Sequence, residues 1–119
     1  MTKSKFVFLT GSNGQLGRAI TQTFKNNNWN VYGLDINEPN NELLDGFILG
    51  NVQERDDFKK FFNLPFDDFS ESVELCLINN AGISVFTPSE ERTYEEFLKV
   101  CEVNLFGPIV GITEFNNFH

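Results

Sequence analysis

Apolar residues fall into short blocks along this chain, and the blocks alternate between two periodicities. Lys5 to Thr10 is a continuous run of strand-forming residues closed by Gly11, which predicts a buried strand. From Gln15 to about Phe24 the apolar residues Leu16, Ala19, Ile20 and Phe24 recur at helical spacing, and the triplet Asn26-Asn27-Asn28 ends the pattern. Asn30 to Leu34 predicts a second strand. Gly46 to Leu49 predicts a third, after the polar, Pro-containing stretch Asn37 to Asp45. Asp56 to Phe62 reads as a helix with Phe58, Phe61 and Phe62 on one side, and Val73 to Ile78 as a fourth strand closed by Asn79-Asn80-Ala81-Gly82. Thr93-x-x-Glu96 is a capping box. It opens a helix on which Phe97, Val100, Cys101, Asn104 and Leu105 share a face and which continues past Pro108 with a kink.

Strand, helix and strand in repeated succession with short connections predict an α/β domain of right-handed parallel units, with helices on both faces of about four strands in the order 3-2-1-4. In an open sheet of that order the reversal falls between the first and fourth strands, so a ligand belongs at their carboxyl ends. Residues 1–119 make one domain at most, without internal repeats or a linker.

Both of those strand ends carry chemistry. Thr10-Gly11-Ser12-Asn13-Gly14-Gln15-Leu16-Gly17 joins the first strand to the first helix, where the chain must turn sharply and bring its backbone close to a ligand. Glycine tolerates positive φ and lets a pyrophosphate approach the N–H groups at the helix start, while the last glycine permits close helix–strand packing. A phosphate-binding P-loop is excluded on spacing, because no Lys-Ser or Lys-Thr follows Leu16. Asp35 ends the second strand, 24 residues past Gly11, where a carboxylate can accept hydrogen bonds from ribose hydroxyls or can simply cap a turn. With Ile36 after it and no cation in Ile36-Asn37-Glu38, a 2′-phosphate there meets like charge, so NAD is expected over NADP.

Composition narrows the partners. Seventeen acidic against nine basic residues give a net charge of -8, which argues against nucleic acid and against an anionic membrane surface. No run approaches the roughly 20 apolar residues of a membrane span, and the leading apolar stretch is too short for a signal peptide, so a cytoplasmic protein is expected. Cys76 and Cys101 have neither metal nor redox spacing and read as reduced packing thiols. The acidic groups Glu54-Arg55-Asp56-Asp57 and Asp67-Asp68 lack His or Cys neighbours, so no metal site is expected and both read as solvated faces.

The glycine turn and Asp35, with Asn79-Asn80-Ala81-Gly82 and Glu102-Val103-Asn104-Leu105, resemble the short-chain dehydrogenase/reductase family from Lys5 to about Gly111. The resemblance implies a Rossmann-type doubly wound sheet binding a dinucleotide. It places Asn80, Ala81 and Gly82 near the nicotinamide side and Asn51-Val52 near the adenine, where many members have Asp-Val. It leaves Asn79 to stabilise the sheet, and makes Asn104 the helix asparagine whose backbone kinks the helix and holds a relay water. On a purely local reading, Asn104 is simply a polar residue in an amphipathic helix. Glycines at positions 11, 14 and 17 differ from the family's usual Thr-Gly-x-x-x-Gly-x-Gly and look more like the sugar-nucleotide-modifying branch.

The family's chemistry uses Ser, Tyr and a Lys four residues beyond the Tyr. A cation is needed there, because an unperturbed Tyr has a pKa near 10. Neither Tyr32 nor Tyr94 has Lys at that spacing; both read as packing residues, and His119 is terminal. The expectation is therefore a partial fold that stops before the catalytic Ser and Tyr-Lys, inactive alone. In the complete protein it would transfer hydride between a nicotinamide cofactor and a small carbonyl or alcohol substrate. Alternatives are a non-catalytic dinucleotide-binding or assembly module and a fragment of a nucleotide-sugar epimerase or dehydratase. An unpaired edge on the fourth strand would favour a homo-oligomer.

Overall fold

The computed structural model describes residues 4–65 and 72–118. Four parallel strands, β1 (Ser4–Thr10), β2 (Asn30–Asp35), β3 (Gly46–Leu49) and β4 (Val73–Ile78), form one sheet in the order β3-β2-β1-β4. The helices are α1 (Gln15–Asn26), α2 (Arg55–Phe62), α3 (Tyr94–Cys101) and α4 (Gly107–Phe118), with a π-helical segment, Glu102–Phe106, between the last two. The expected strands and their order are present.

Alternation along β1 divides the core. Phe6 and Phe8 face α2 and α4 together with Tyr32 and Leu34, while Val7, Leu9 and Val31 point to the side of α1. Phe8 is the hub of the first side. Its ring meets Phe61 at 5.3 Å and Phe62 at 5.1 Å, both edge-on, and Phe62 in turn meets Phe115 of α4 at 5.4 Å. Phe58, Phe61 and Phe62 are fully buried, so each contributes roughly 1.5–3 kcal/mol by area alone, with edge-to-face pairing added.

Helix α1 covers the other side, through a different face from the one its apolar residues suggest. Gly17 and Thr21 are its buried residues; Leu16 and Ala19 are exposed. Small residues let the helix sit close to the sheet. Its end is a Schellman turn: Asn28 takes φ 65, its N–H donates to Lys25 O, and Trp29 N–H reaches back to Phe24 O at 3.0 Å. The accompanying apolar contact is Phe24 against Trp29, with ring centroids 5.2 Å apart.

Several readings of single residues change. Cys101 is exposed and Cys76 only half-buried, so Cys101 is not a packing thiol. Tyr32 is buried but Tyr94 is 73% exposed, because α3 buries none of its residues. Asp57 is not a freely solvated charge: its Oδ2 accepts from Asn51 N–H at 2.9 Å. Arg55 lies against the buried Glu114 of α4 at 3.8 Å. Asp67-Asp68 and His119 lie outside the described residues. The expected kink also has another origin. The backbone widens into the π segment before Pro108, with Gly107 N–H donating to Glu102 O, which accommodates a proline that offers no N–H to Asn104 O.

Candidate functional site

At the carboxyl ends of β1, β2 and β4 the chain opens a cleft of about 760 Å³. Its floor is the glycine turn. Gly11 has φ +67, and a Cβ there would lie 2.9 Å from Ala81 Cα; a Cβ on Gly17 would lie 2.2 Å from Gly11 O. Gly11 therefore lets the turn and the β4 loop touch, and Gly17 lets the helix start close over the turn. Gly14 is the N-cap of α1 and offers no side-chain cap, and the first turn carries no acidic residue. The orphan N–H groups and positive end of α1 thus open onto the cleft, where an anionic group fits.

Thr10, which the motif reading passed over as a site residue, sets the opposite wall. Its Oγ1 accepts from both Asn80 N–H and Ala81 N–H, each at 3.0 Å. Asn80 adds a bond from Nδ2 to Gly11 O at 3.1 Å. The β4 loop is thereby fixed over the glycine turn. Asn104 continues this wall in a way the sequence did not suggest: both ends of its amide pair with the Ile83 backbone, Oδ1 accepting from Ile83 N–H at 2.8 Å and Nδ2 donating to Ile83 O at 2.7 Å. Its side chain works as a clamp on the segment after Gly82.

Asp35 closes the other end. One carboxylate oxygen accepts from Asn13 N–H at 3.0 Å and the other from Asn37 N–H at 3.1 Å, so the group is held from both sides with lone pairs to spare for hydroxyl donors. Asn51 and Val52 follow β3 on the same wall. The Asn51 side-chain oxygen accepts from Gln53 N–H at 2.9 Å, which engages one of the lone pairs expected to meet an adenine amino group.

The cleft is lined by Gly11, Asn13, Gly14, Gln15, Leu16, Gly17, Asp35, Ile36, Asn51, Val52, Asn80, Ala81 and Gly82. Of the expected cofactor contacts Ser12 alone lies away from its surface, fully buried behind the turn with its carbonyl accepting from Asn41. Lys99 and Val103 also line the cleft and were missed, since nothing in local spacing says that this side of the helix returns to the glycine turn.

A family model for short chain dehydrogenases matches residues 5–118. The chain belongs to the short chain dehydrogenase family. The diacetyl reductase [(S)-acetoin forming] of Staphylococcus epidermidis is 29% identical over 92% of this chain, which spans 46% of that relative. A short chain dehydrogenase from Leptospira borgpetersenii, solved with bound NAD+, is 30% identical with a TM-score of 0.74, over 94% of this chain and 44% of that one. A 4-hydroxyisoleucine dehydrogenase complexed with NADH is 28% identical with a TM-score of 0.76, over 96% of this chain and 49% of that one. The chain thus spans about half the length of the relatives it matches. No helix among the described residues is long and apolar enough to cross a membrane.

Proposed function

We propose that this chain is the dinucleotide-binding portion of an NAD-preferring oxidoreductase, whose complete form transfers hydride between the nicotinamide and a carbonyl or alcohol. The supporting observation is convergence: the open N-terminus of α1, the Asp35 carboxylate and the Asn80-Ala81-Gly82 wall all face one cleft. The pyrophosphate would lie on the N–H groups after Gly14, the adenosine ribose hydroxyls on Asp35, and the nicotinamide half toward Gly82. The cofactor supplies the hydride chemistry. The residues present here bind and orient it, and Asn104 fixes the wall beside it through Ile83.

Preference for NAD rests on charge. Asp35 and Glu38 are the ionic groups of the segment that would meet a 2′-phosphate, and no cation stands within Ile36-Asn37-Glu38 to offset them. Neither Tyr32, buried in the sheet, nor the exposed Tyr94 has a Lys four residues on, so the chain by itself is inactive. Its β4 edge pairs with β1 on one side only among the described residues, which supports association with a second copy. Calorimetric titration tests the reading. NAD should bind more tightly than NADP, whereas binding of neither, or tighter NADP, would remove it.

A further inference from the structure

The 36–40 segment is not a free loop, and one side chain holds it. Asn13 of the glycine turn is 7% exposed and spends its whole amide on the backbone that follows Asp35. Its Nδ2 donates to Asn37 O and to Glu38 O, both at 2.8 Å, while its Oδ1 accepts from Asn40 N–H at 3.4 Å. Its own backbone N–H donates to Asp35 Oδ2 at 3.0 Å. Both amide hydrogens and the oxygen are satisfied within four consecutive residues of one segment. The far end of the segment is closed by the buried Asn41, whose Nδ2 donates to Ser12 O and Thr21 Oγ1.

From this geometry we infer that Asn13 is the residue that fixes cofactor selectivity, by clamping the Asp35–Asn40 segment in a form closed to a 2′-phosphate. Charge alone does not fix selectivity if the segment can swing away. A mobile loop would carry away Glu38 and the Asn37 N–H that orients the Asp35 carboxylate at the end of β2, and admit the phosphate with water around it. With the clamp in place, moving the segment strips the buried Asn13 amide of the partners of both its hydrogens, so the like charges stay where a 2′-phosphate must sit. Asn13 is a positioning residue: it acts on the ribose site through Asp35 and the backbone beside it.

The inference rests on the proposed dinucleotide site, and the experiment separates the two. Affinities of the full chain for NAD, NADP, AMP and adenosine 2′,5′-bisphosphate are measured by calorimetry for the wild type, Asn13→Ala, Asn13→Ser, Asp35→Asn and the Asn13→Ala/Asp35→Asn double variant. Loss of the three side-chain hydrogen bonds to the loop should narrow the NAD/NADP affinity ratio by about tenfold in Asn13→Ala. Asn13→Ser should narrow it in the same direction. In the Asp35→Asn background, removing Asn13 should change the ratio no further, because the clamp works by presenting that carboxylate. A ratio unchanged in both Asn13 variants, with NAD still bound, overturns this inference alone; a wild-type chain that binds neither NAD nor AMP overturns the dinucleotide site as well. Should Asn13→Ala fail to fold, the side-chain amide protons of Asn13 in the wild type give a second reading. Slow hydrogen exchange there supports the clamp, and exchange at the rate of a free amide overturns it.

Discussion

The two walls of the cleft are built to different standards. On the β1–α1–β2 side the strand residues Phe6 to Thr10 are almost wholly buried, and the loops are tied across the turn by Asn13, Asn41 and Asp35. On the α3 side no residue of the helix is buried. Phe97 is 51% exposed and Leu105 53%, and farther along α4 Ile109 and Ile112 are each 50% exposed. The Asp35 end is thus organised by hydrogen bonds across the turn, and the helix at the other end is anchored chiefly through Asn104 and Ile83. The site's rigidity therefore comes from hydrogen bonds across loops on one side, and its other side carries an apolar face that the described residues do not cover.

The comparison breaks most clearly in the core. Phe62→Ala should cost about 3–5 kcal/mol in urea unfolding, because Phe62 sits among Phe8, Phe58, Phe61 and Phe115. Phe97→Ala on α3 should stay within about 0.5 kcal/mol in the same assay. Equal losses at the two positions would mean that α3 is packed as firmly as the sheet. Thr10→Val comes next, since it removes the acceptor of Asn80 N–H and Ala81 N–H while keeping the shape. A loss of about 1–3 kcal/mol is expected, with weaker NAD binding, and a neutral result would show that the β4 loop is held by other means. A smaller effect belongs to Asn28→Ala, which removes the short polar side chain that eases φ 65, at a cost of about 1 kcal/mol, and should lower the melting temperature by a few degrees.

Thiol labelling sharpens the same contrast at the lowest cost in stability. Cys101 on α3 is exposed and should react first. Burial, with a smaller contribution from Glu74, pushes the Cys76 thiol up, so less thiolate is present at any given pH and its labelling should need more alkaline solution than an ordinary cysteine. Equal rates at neutral pH would contradict the packing of β4 against β1.

How much of this was legible in sequence follows the range of the interactions. The strands and their order were readable, because each is a local apolar run and the alternation leaves few topologies. The chemistry-bearing turns were readable too, because glycine, Asp35 and Asn80-Ala81 sit at strand ends. The buried face of α1 was not: Gly17 and Thr21 are inside because small groups permit close approach, and hydrophobic periodicity picks out Leu16 instead. The Asn13 and Asn41 clamps were illegible for a different reason. Their partners lie 20 or more residues away, and an asparagine between regular elements reads first as a turn residue. Exposure of Phe97, Tyr94 and Cys101 likewise depends on what covers a helix, which its own spacing does not encode.

The claim that one cleft takes a dinucleotide is tested most directly by following backbone amide resonances of the chain as NAD is added. The account predicts shifts at Gly11, Gly14, Gln15, Asp35, Asn80, Ala81 and Gly82, all at the three strand ends that meet in the cleft, with Phe62 and Phe118 unmoved. An unchanged spectrum at saturating NAD, or shifts confined to residues outside the cleft, would contradict it.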